Sequence, residues 1–452
     1  MLEGKKVLVA GLAISGVASV KALSKLGASV VVTDMKSSEE LKEEIEQLDG
    51  IQVEYVLGSN DVDLKGIELV LKSPGIPYDI ELFQKARSLG IEVITDIELA
   101  ERVRKAEFIC VTGTNGKTTT TSLIGDIFRK SGKKTYVVGN IGVGILSELE
   151  ALRDPESVFV IEASSFQLED TVEFKPEISL LTNITPDHLN WHGSLENYIS
   201  SKKKIYRNQG SGDYTVLNYE DEVLRDASSE ISSNAVYFSA KRKLEKGCFI
   251  EDGRVVFSDG SLKRDIMKVS DIKIPGDHNL ENVLSAVAVA LSYGIPPEVV
   301  ESAVSEFEGV EHRLEFVAEV EGARYYNDSK GTNPDASIKA VEAIPSPIIL
   351  IAGGMDKGGE FDDFVESFGG KVKSLVLLGE TAEKIKAEAV KSGIEDIHLV
   401  SGIEEAVDKA HRISTEGDNV LLSPACASWD MYPSYEIRGR LFKEAVYRIK
   451  EA

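Results

Sequence analysis

The run Glu107-Phe-Ile-Cys-Val111 and the eight residues after it, Thr-Gly-Thr-Asn-Gly-Lys-Thr-Thr119, constrain this chain more than any other stretch. The apolar run reads as a strand, and the sequence from Thr118 through Ile124 reads as a helix. A glycine-rich turn feeding a helix N-terminus aims several backbone N–H groups and the positive end of the helix dipole at one point. Gly113, Thr114, Asn115, Gly116, Lys117, Thr118 and Thr119 form that turn. Lys117 adds a mobile charge for β- and γ-phosphates, and the Thr118 hydroxyl is placed for Mg²⁺. The usual form, G-x-x-x-x-G-K-[ST], has glycine where Val111 stands, so this is a shortened variant. An ordinary glycine turn is the plain alternative. Strand, Gly116-Lys117-Thr118 and helix together favour a cradle for ATP or GTP.

The 452 residues predict two or three domains, because single cores rarely grow past about 250–300 residues. Hydrophobic content of 42% and charged content of 28% are those of a soluble globular protein. No apolar stretch of about 18 residues is present, so no membrane insertion is expected. The first ten residues run straight into a strand and carry no signal-peptide pattern. Cys110, Cys248 and Cys426 fit neither a disulfide framework nor a metal motif. A cytoplasmic location is expected. The net charge of −24 argues against nucleic acid, and any anionic substrate must be held by local cations.

Three α/β blocks follow. In the first, strand Lys6–Ala10, turn Gly11–Gly16, a helix to about Leu26 and strand Ser29–Thr33 ending at Asp34 make a Rossmann-type βαβ opening. Ala13 replaces the middle glycine of that fingerprint, so a general nucleotide-diphosphate site is as good a reading as NAD. Strand Leu69–Lys72 and the turn Ser73-Pro-Gly75 close a layer ending near Glu98. The second block, 99–310, carries the phosphate loop, strands 157–161 and 178–182, and a small antiparallel appendage expected between 213 and 275. The third, 311–452, holds buried parallel strands in the runs 347–354, 374–379 and 419–423. The expected fold is α/β in three domains: a Rossmann-like first domain (1–98), a central P-loop ATPase-like parallel-sheet domain (99–310) and a Rossmann-like last domain (311–452).

Strand 158–161 ends at Glu162-Ala-Ser-Ser165 and the next at Asn183-Ile-Thr-Pro-Asp-His188. If the two strands are neighbours, Glu162 and His188 converge near Thr118 as a Mg²⁺ site. On an expected helix Ser194–Gln209, Lys202 falls inside the stripe Leu195, Tyr198, Ile199, Ile205 and Tyr206, while Lys204 faces the other way. A lysine facing a core is costly unless paired or chemically altered, and snorkelling past Tyr206 is the plain alternative. In the third block, polar turns at Tyr326–Pro334, Gly353–Gly359 and Ser423–Asp430 look like one carboxylate- and phosphate-binding mouth.

Taken in order, Gly113–Thr119, Gly139-Asn-Ile-Gly142, Glu162–Gln167, Asn183–His188, Tyr198 with Lys202, Pro275–Asn279, His312-Arg313, Asp328-Ser-Lys330, Gly353-Gly354 with Lys357, and Ser423–Ser428 resemble the motifs of the Mur ligase family over essentially the whole chain. The short first block and the Ser-Pro-Ala-Cys-Ala-Ser run point to its D-glutamate-adding branch.

The resemblance implies an ATP-dependent amide-bond ligase joining D-glutamate to UDP-N-acetylmuramoyl-L-alanine through an acyl phosphate, acting as a monomer in cell-wall precursor synthesis. It implies that Lys117 binds the β/γ-phosphates, that Thr118 and Glu162 hold one Mg²⁺, and that Glu162, His188 and Lys202, the last as a CO₂-derived carbamate, hold a second. Asn279, Arg313 and Asp328 would serve the adenine and ribose side of ATP. Asn140 would contact the muramoyl substrate, with Ser164 in the same substrate-binding set. Ser15, Asp34, Ser73 and Gly75 would lie near the UDP moiety, and Lys330, Thr332, Lys357, Ser428 and Tyr435 would surround D-glutamate. Two departures stand out: Asp34 is not followed by arginine, and Tyr435 replaces a familiar phenylalanine. Rival readings are a folylpolyglutamate-synthetase-like ligase, disfavoured by the first βαβ block, and an NTPase switch with a dinucleotide-binding module, which leaves Lys202 without a role.

Overall fold

The computed structural model describes residues 2–140, 143–356, 358 and 360–451. It divides into two compact units, one of residues up to 271 with 281–305, the other of 272–280 with 306 onward.

The first unit opens with five parallel strands: β1 (Lys6–Ala10), β2 (Ser29–Asp34), β3 (Val53–Leu57), β4 (Leu69–Lys72) and β5 (Glu92–Ile94), in the order β3-β2-β1-β4-β5. Val7, Leu8 and Val9 are buried on both faces of β1, as an unbroken apolar run requires. The winding direction reverses between β1 and β4, so the turns after these two strands form a crevice. They touch closely there. A Cβ on Gly11 (φ +91°) would lie 2.7 Å from Ser73 Oγ, and one on Gly16 would lie 2.1 Å from the Gly11 carbonyl oxygen.

The same unit carries a nine-stranded sheet: β6 (Glu107–Thr112), β7 (Lys134–Gly139), β8 (Ser157–Glu162), β9 (Ile178–Leu181), β10 (Tyr214–Asn218), β11 (Asn234–Ser239), β12 (Lys246–Glu251), β13 (Arg254–Asp259) and β14 (Lys263–Lys268). Its order is β14-β13-β12-β11-β10-β9-β6-β8-β7. The expected antiparallel appendage is present as β12-β13-β14, and it is narrower than 213–275. β10, β11 and β12 continue the main sheet in parallel register, and the antiparallel pairs are β12 with β13 and β13 with β14. Apolar β10 and β11, with Val216 and Val236 buried, can be covered on both faces, whereas the polar β14 suits an edge. Buried contacts stitch the two sheets together: the Lys72 ammonium lies 3.0 Å from Asp170, and Thr95 Oγ1 donates to the Gln167 carbonyl at 2.8 Å.

The second unit is a six-stranded sheet of β15 (Glu315–Val320), β16 (Ala323–Asn327), β17 (Ile348–Ala352), β18 (Val372–Leu377), β19 (Ile397–Leu399) and β20 (Asn419–Leu422), ordered β15-β16-β20-β17-β18-β19. β15 is antiparallel to its neighbour and the rest are parallel. Cys110, Cys248 and Cys426 are buried and unbridged. Among the described residues no helix is long and apolar enough to cross a membrane.

Candidate functional site

In the nine-stranded sheet, β6 lies between β8 and β9, with Val111 opposite Glu162 and Thr112 opposite Leu181. The strands ending at Glu162 and before His188 thus flank the loop strand on either side rather than pairing with each other, and their carboxyl ends meet at the loop between them. Gly116 takes φ +83° and caps the helix Lys117–Lys130. The loop is cross-braced. Asn115 N–H donates to Asn183 Oδ1 at 2.9 Å, Thr182 Oγ1 donates to the Asn115 carbonyl at 2.6 Å, and the Thr114 and Tyr198 hydroxyls lie 2.9 Å apart. A Cβ on Gly113 would fall 1.9 Å from Thr182 Oγ1. Thr118 and Thr119 are buried at the helix start.

Two cations crowd one carbonyl. Lys117 Nζ donates to the carbonyls of Gly113 and Thr114 at 3.0 and 2.9 Å, and Lys202 Nζ donates to the Gly113 carbonyl at 2.7 Å. Lys202 is only 2% exposed and lies 4.6 Å from the centre of the Tyr198 ring. Snorkelling past Tyr206 is thereby overturned. Burial, reinforced by the neighbouring charge of Lys117, pushes the Lys202 amine well below its usual range, while Asp187 and Glu162 oppose the shift. Its helix is shorter than expected, Leu195–Lys203, with a 3-10 turn from Lys204 to Tyr206. Ser194 caps it through the Asn197 amide. Past Tyr206 the chain turns so that the Gln209 side-chain amide can satisfy the carbonyls of Pro176 and Tyr214. Lys204 lies on another face but is not free, for its ammonium sits 3.0 Å from Glu169.

Glu162 is 1% exposed at the end of β8. Its Oε1 accepts from Asn140 Nδ2 at 2.9 Å, while Oε2 is buried with no hydrogen-bond partner among the described residues. Asn140 thus orients a carboxylate from the next strand end. Gly139 makes this approach possible, since a Cβ there would lie 2.3 Å from the Glu162 carbonyl oxygen. Ser164 is engaged in a capping box with Gln167 at the start of the helix Ser165–Glu169. His188 is exposed, with φ +50°; its ring lies 4.8 Å from that of Phe166 and its Nε2 is 3.5 Å from Asp187. Strained non-glycine backbone of this kind gathers at functional loops. The sequence reading missed Asn282, three residues after Asn279 in the helix Asp277–Tyr293. Its Oδ1 accepts from Thr120, and a Cβ on Gly116 would fall 2.2 Å from it.

On the five-stranded sheet, Asp34 accepts from the Leu12 and Lys36 amides at 2.8 and 2.9 Å, and Ser73 Oγ donates to the Gly11 carbonyl at 3.1 Å. Half-buried Ser15 and exposed Gly75 complete that crevice.

The second unit gathers the remaining residues. Asp328 Oδ2 accepts from Ser423 at 2.8 Å, and burial pushes its carboxyl up to about 6. Arg313 Nε is buried without a hydrogen-bond partner among the described residues, and Asn279 donates to the Pro275 carbonyl at 2.6 Å. Lys330 Nζ lies 5.6 Å from the Tyr435 ring centre, and the Thr332 amide donates to the Lys330 carbonyl at 2.9 Å. Ser428 Oγ is buried and likewise lacks a partner. His312, Leu314 and Ala425 all have positive φ around these loops. Lys357 lies outside the described residues.

Three family models match this chain in order: a Mur ligase MurD-like N-terminal domain over residues 5–95, a Mur ligase middle domain over 111–290 and a Mur ligase glutamate ligase domain over 312–426. The chain belongs to the Mur ligase family. This Mur ligase is 50% identical over 453 residues to the UDP-N-acetylmuramoylalanine–D-glutamate ligase of Caldanaerobacter subterraneus subsp. tengcongensis, with 99% of each chain covered. It is 46% identical to the protein of that name from Clostridioides difficile, covering 99% of this chain and all of that one. Among solved structures, the UDP-N-acetylmuramate-alanine ligase of Thermotoga maritima superposes with a TM-score of 0.62 at 22% identity, over 98% of this Mur ligase and 99% of that chain. That last likeness speaks for the fold.

Proposed function

We propose that this Mur ligase joins D-glutamate to the carboxyl end of UDP-N-acetylmuramoyl-L-alanine, driven by ATP. The observation that carries this reading is full-length identity of 45–50% to relatives named for that reaction, matched by a buried carboxylate and a buried lysine beside the phosphate loop. We also take the division 1–98, 99–310 and 311–452 as the substrate, ATP and amino-acid domains.

A carboxylate resists attack by an amine until one of its oxygens is phosphorylated. In the proposed reaction that oxygen attacks the γ-phosphorus of ATP, ADP leaves, the D-glutamate amine attacks the acyl phosphate, and phosphate departs. The chain's groups fit this task. The helix N-terminus at Lys117, the N–H groups from Gly113 to Thr119 and the Lys117 ammonium receive the phosphates. The unpartnered Glu162 Oε2 and the nearby Thr118 hydroxyl suit one hard cation. Glu162, His188 and a carbamate on Lys202 would hold a second. Mg²⁺ bound there supplies charge neutralisation between two anionic reactants. Burial and the charge of Lys117 favour the neutral form of the Lys202 amine, the form that adds CO₂ and then loses a proton, and the resulting carbamate puts an anion beside Lys117 in place of a second cation. Asn140 holds the Glu162 carboxylate in place. The Gly11–Gly16 turn, Asp34 and Ser73–Gly75 would take the UDP end. Asn279, Arg313 and Asp328 would take the nucleoside of ATP, and Lys330, Thr332, Lys357, Ser428 and Tyr435 the D-glutamate.

The test is phosphate release with UDP-N-acetylmuramoyl-L-alanine, ATP and a panel of amino acids. Release with D-glutamate alone supports the reading. Equal release with L-glutamate or D-alanine would refute it.

A further inference from the structure

Among the described residues Arg438 is the largest fully buried side chain, at 1% exposure, in the first turn of the helix Tyr435–Glu451. Its partners are neutral. Nε donates to Ser329 Oγ at 3.0 Å and Nη2 to the Ser329 carbonyl at 2.8 Å. Nη1 and Nη2 donate to the Cys426 carbonyl at 3.2 and 3.1 Å. Among the described residues no carboxylate forms an ion pair with it within 4.0 Å. Asp430 and Asp328 act on it only from farther away, and burial pulls the guanidinium down to about 10, so it stays charged at neutral pH.

A buried guanidinium without a counterion is a poor way to stabilise a fold, since an apolar side chain of similar size does better. Its placement gives it another use. Ser329 lies in the loop after β16, next to Lys330, and Cys426 lies in the loop after β20, two residues before Ser428. The fork therefore sets both loops in register. It also approaches the loop after β17, because a Cβ on Gly354 would come within 3.3 Å of Nη1. Ser428 Oγ, buried and without a hydrogen-bond partner among the described residues, lies on one of the strapped loops.

We infer that Arg438 is the positioning and charge-selecting residue of the amino-acid site: it straps the β16 and β20 loops through their carbonyls and leaves a positive charge with no carboxylate in contact beside the loop that carries Ser428, which selects an amino acid with an anionic side chain. This rests on the reading that these loops receive the incoming amino acid. D-Glutamate carries two carboxylates and D-glutamine one, so the pair isolates the charge.

The experiment compares full-length wild type, Arg438→Met, Arg438→Lys and the exposed control Arg440→Met in phosphate release with D-glutamate and with D-glutamine. The KM for ATP and thermal melting are followed in parallel. Arg438→Met should raise the KM for D-glutamate about tenfold or more and erase most of the preference over D-glutamine, while the KM for ATP stays within about twofold. Arg438→Lys keeps the charge and should retain the preference at a raised KM, and Arg440→Met should match wild type. If Arg438→Met does not fold, the preference shown by Arg438→Lys decides. A preference that survives in Arg438→Met, or is lost in Arg438→Lys, overturns the inference. Wild type using another acidic amino acid in place of D-glutamate would refute the functional reading and keep this inference, whereas best release with a neutral amino acid would overturn both.

Discussion

Replacing Lys202 with methionine separates stability from turnover in a way that only a chemically employed lysine allows. The ammonium is 2% exposed, donates one hydrogen bond to the Gly113 carbonyl at 2.7 Å and lies 4.6 Å from the Tyr198 ring centre. Burying an uncompensated cation costs several kcal/mol. A charge-assisted hydrogen bond returns about 2 kcal/mol and a cation–π contact about 1–2 kcal/mol. These terms nearly cancel, and methionine fills similar volume. Lys202→Met should therefore change stability by less than about 2 kcal/mol, a melting shift of no more than about 5 °C. Turnover should fall by about 10²–10³-fold or more, the usual loss when one fixed electrostatic stabiliser of a reaction is removed. Lys204→Ala, on a different face, breaks a partly buried pair with Glu169; it should cost about 1 kcal/mol of stability and leave turnover within about threefold. Phosphate release and thermal melting read both quantities. Turnover of Lys202→Met within tenfold of wild type, or parallel losses of stability and turnover, would refute the argument.

Glu162→Gln preserves shape but removes the buried charge; it should lower turnover about 10²-fold or more and raise the Mg²⁺ concentration needed for half-maximal rate, and an unchanged Mg²⁺ dependence would count against it. Gly113→Ala drives a methyl group to 1.9 Å from Thr182 Oγ1, so it should cost about 3 kcal/mol and abolish ATP binding by calorimetry. Ser428→Ala deletes a buried hydroxyl that has no partner among the described residues, so melting should hold within about 1 kcal/mol while the KM for D-glutamate rises about tenfold. Burial, with Lys202, His188 and Lys204 assisting and Glu169 opposing, pushes the His192 imidazole down to about 4. A base with a depressed folded value gives stability that is whole above its ordinary value near 6.5 and is lost as pH falls from there toward about 4. Melting of wild type should thus drop across that window by more than that of His192→Gln, by up to about 3 kcal/mol, and identical profiles would contradict the assignment.

The phosphate loop, the first βαβ turn and the strands near 348–352, 372–377 and 419–422 were legible because apolar runs ending at glycine admit few alternatives. Lys202 was legible for the same reason, since helical spacing placed it among Tyr198 and Ile205, and both are buried. β3 was missed because its Glu54 and Tyr55 are exposed at a sheet edge and break the apolar pattern. The parallel run of β10 to β12 was misread because direction depends on which strand lies beside which, and pairing between distant strands leaves no local trace. The same blindness left open whether the strands that end near Glu162 and His188 are neighbours, and β6 lies between them. Asn282 and Arg438 escaped notice because a polar residue on a helix announces itself only through what faces it.

The most direct measurement follows an oxygen atom. With a heavy oxygen isotope in the terminal carboxylate of UDP-N-acetylmuramoyl-L-alanine, ligation to D-glutamate through an acyl phosphate must deliver one labelled oxygen to the released phosphate for each amide formed. Mass spectrometry of that phosphate should find the label, with ADP as the other product. Unlabelled phosphate, or label appearing in AMP, would contradict the account.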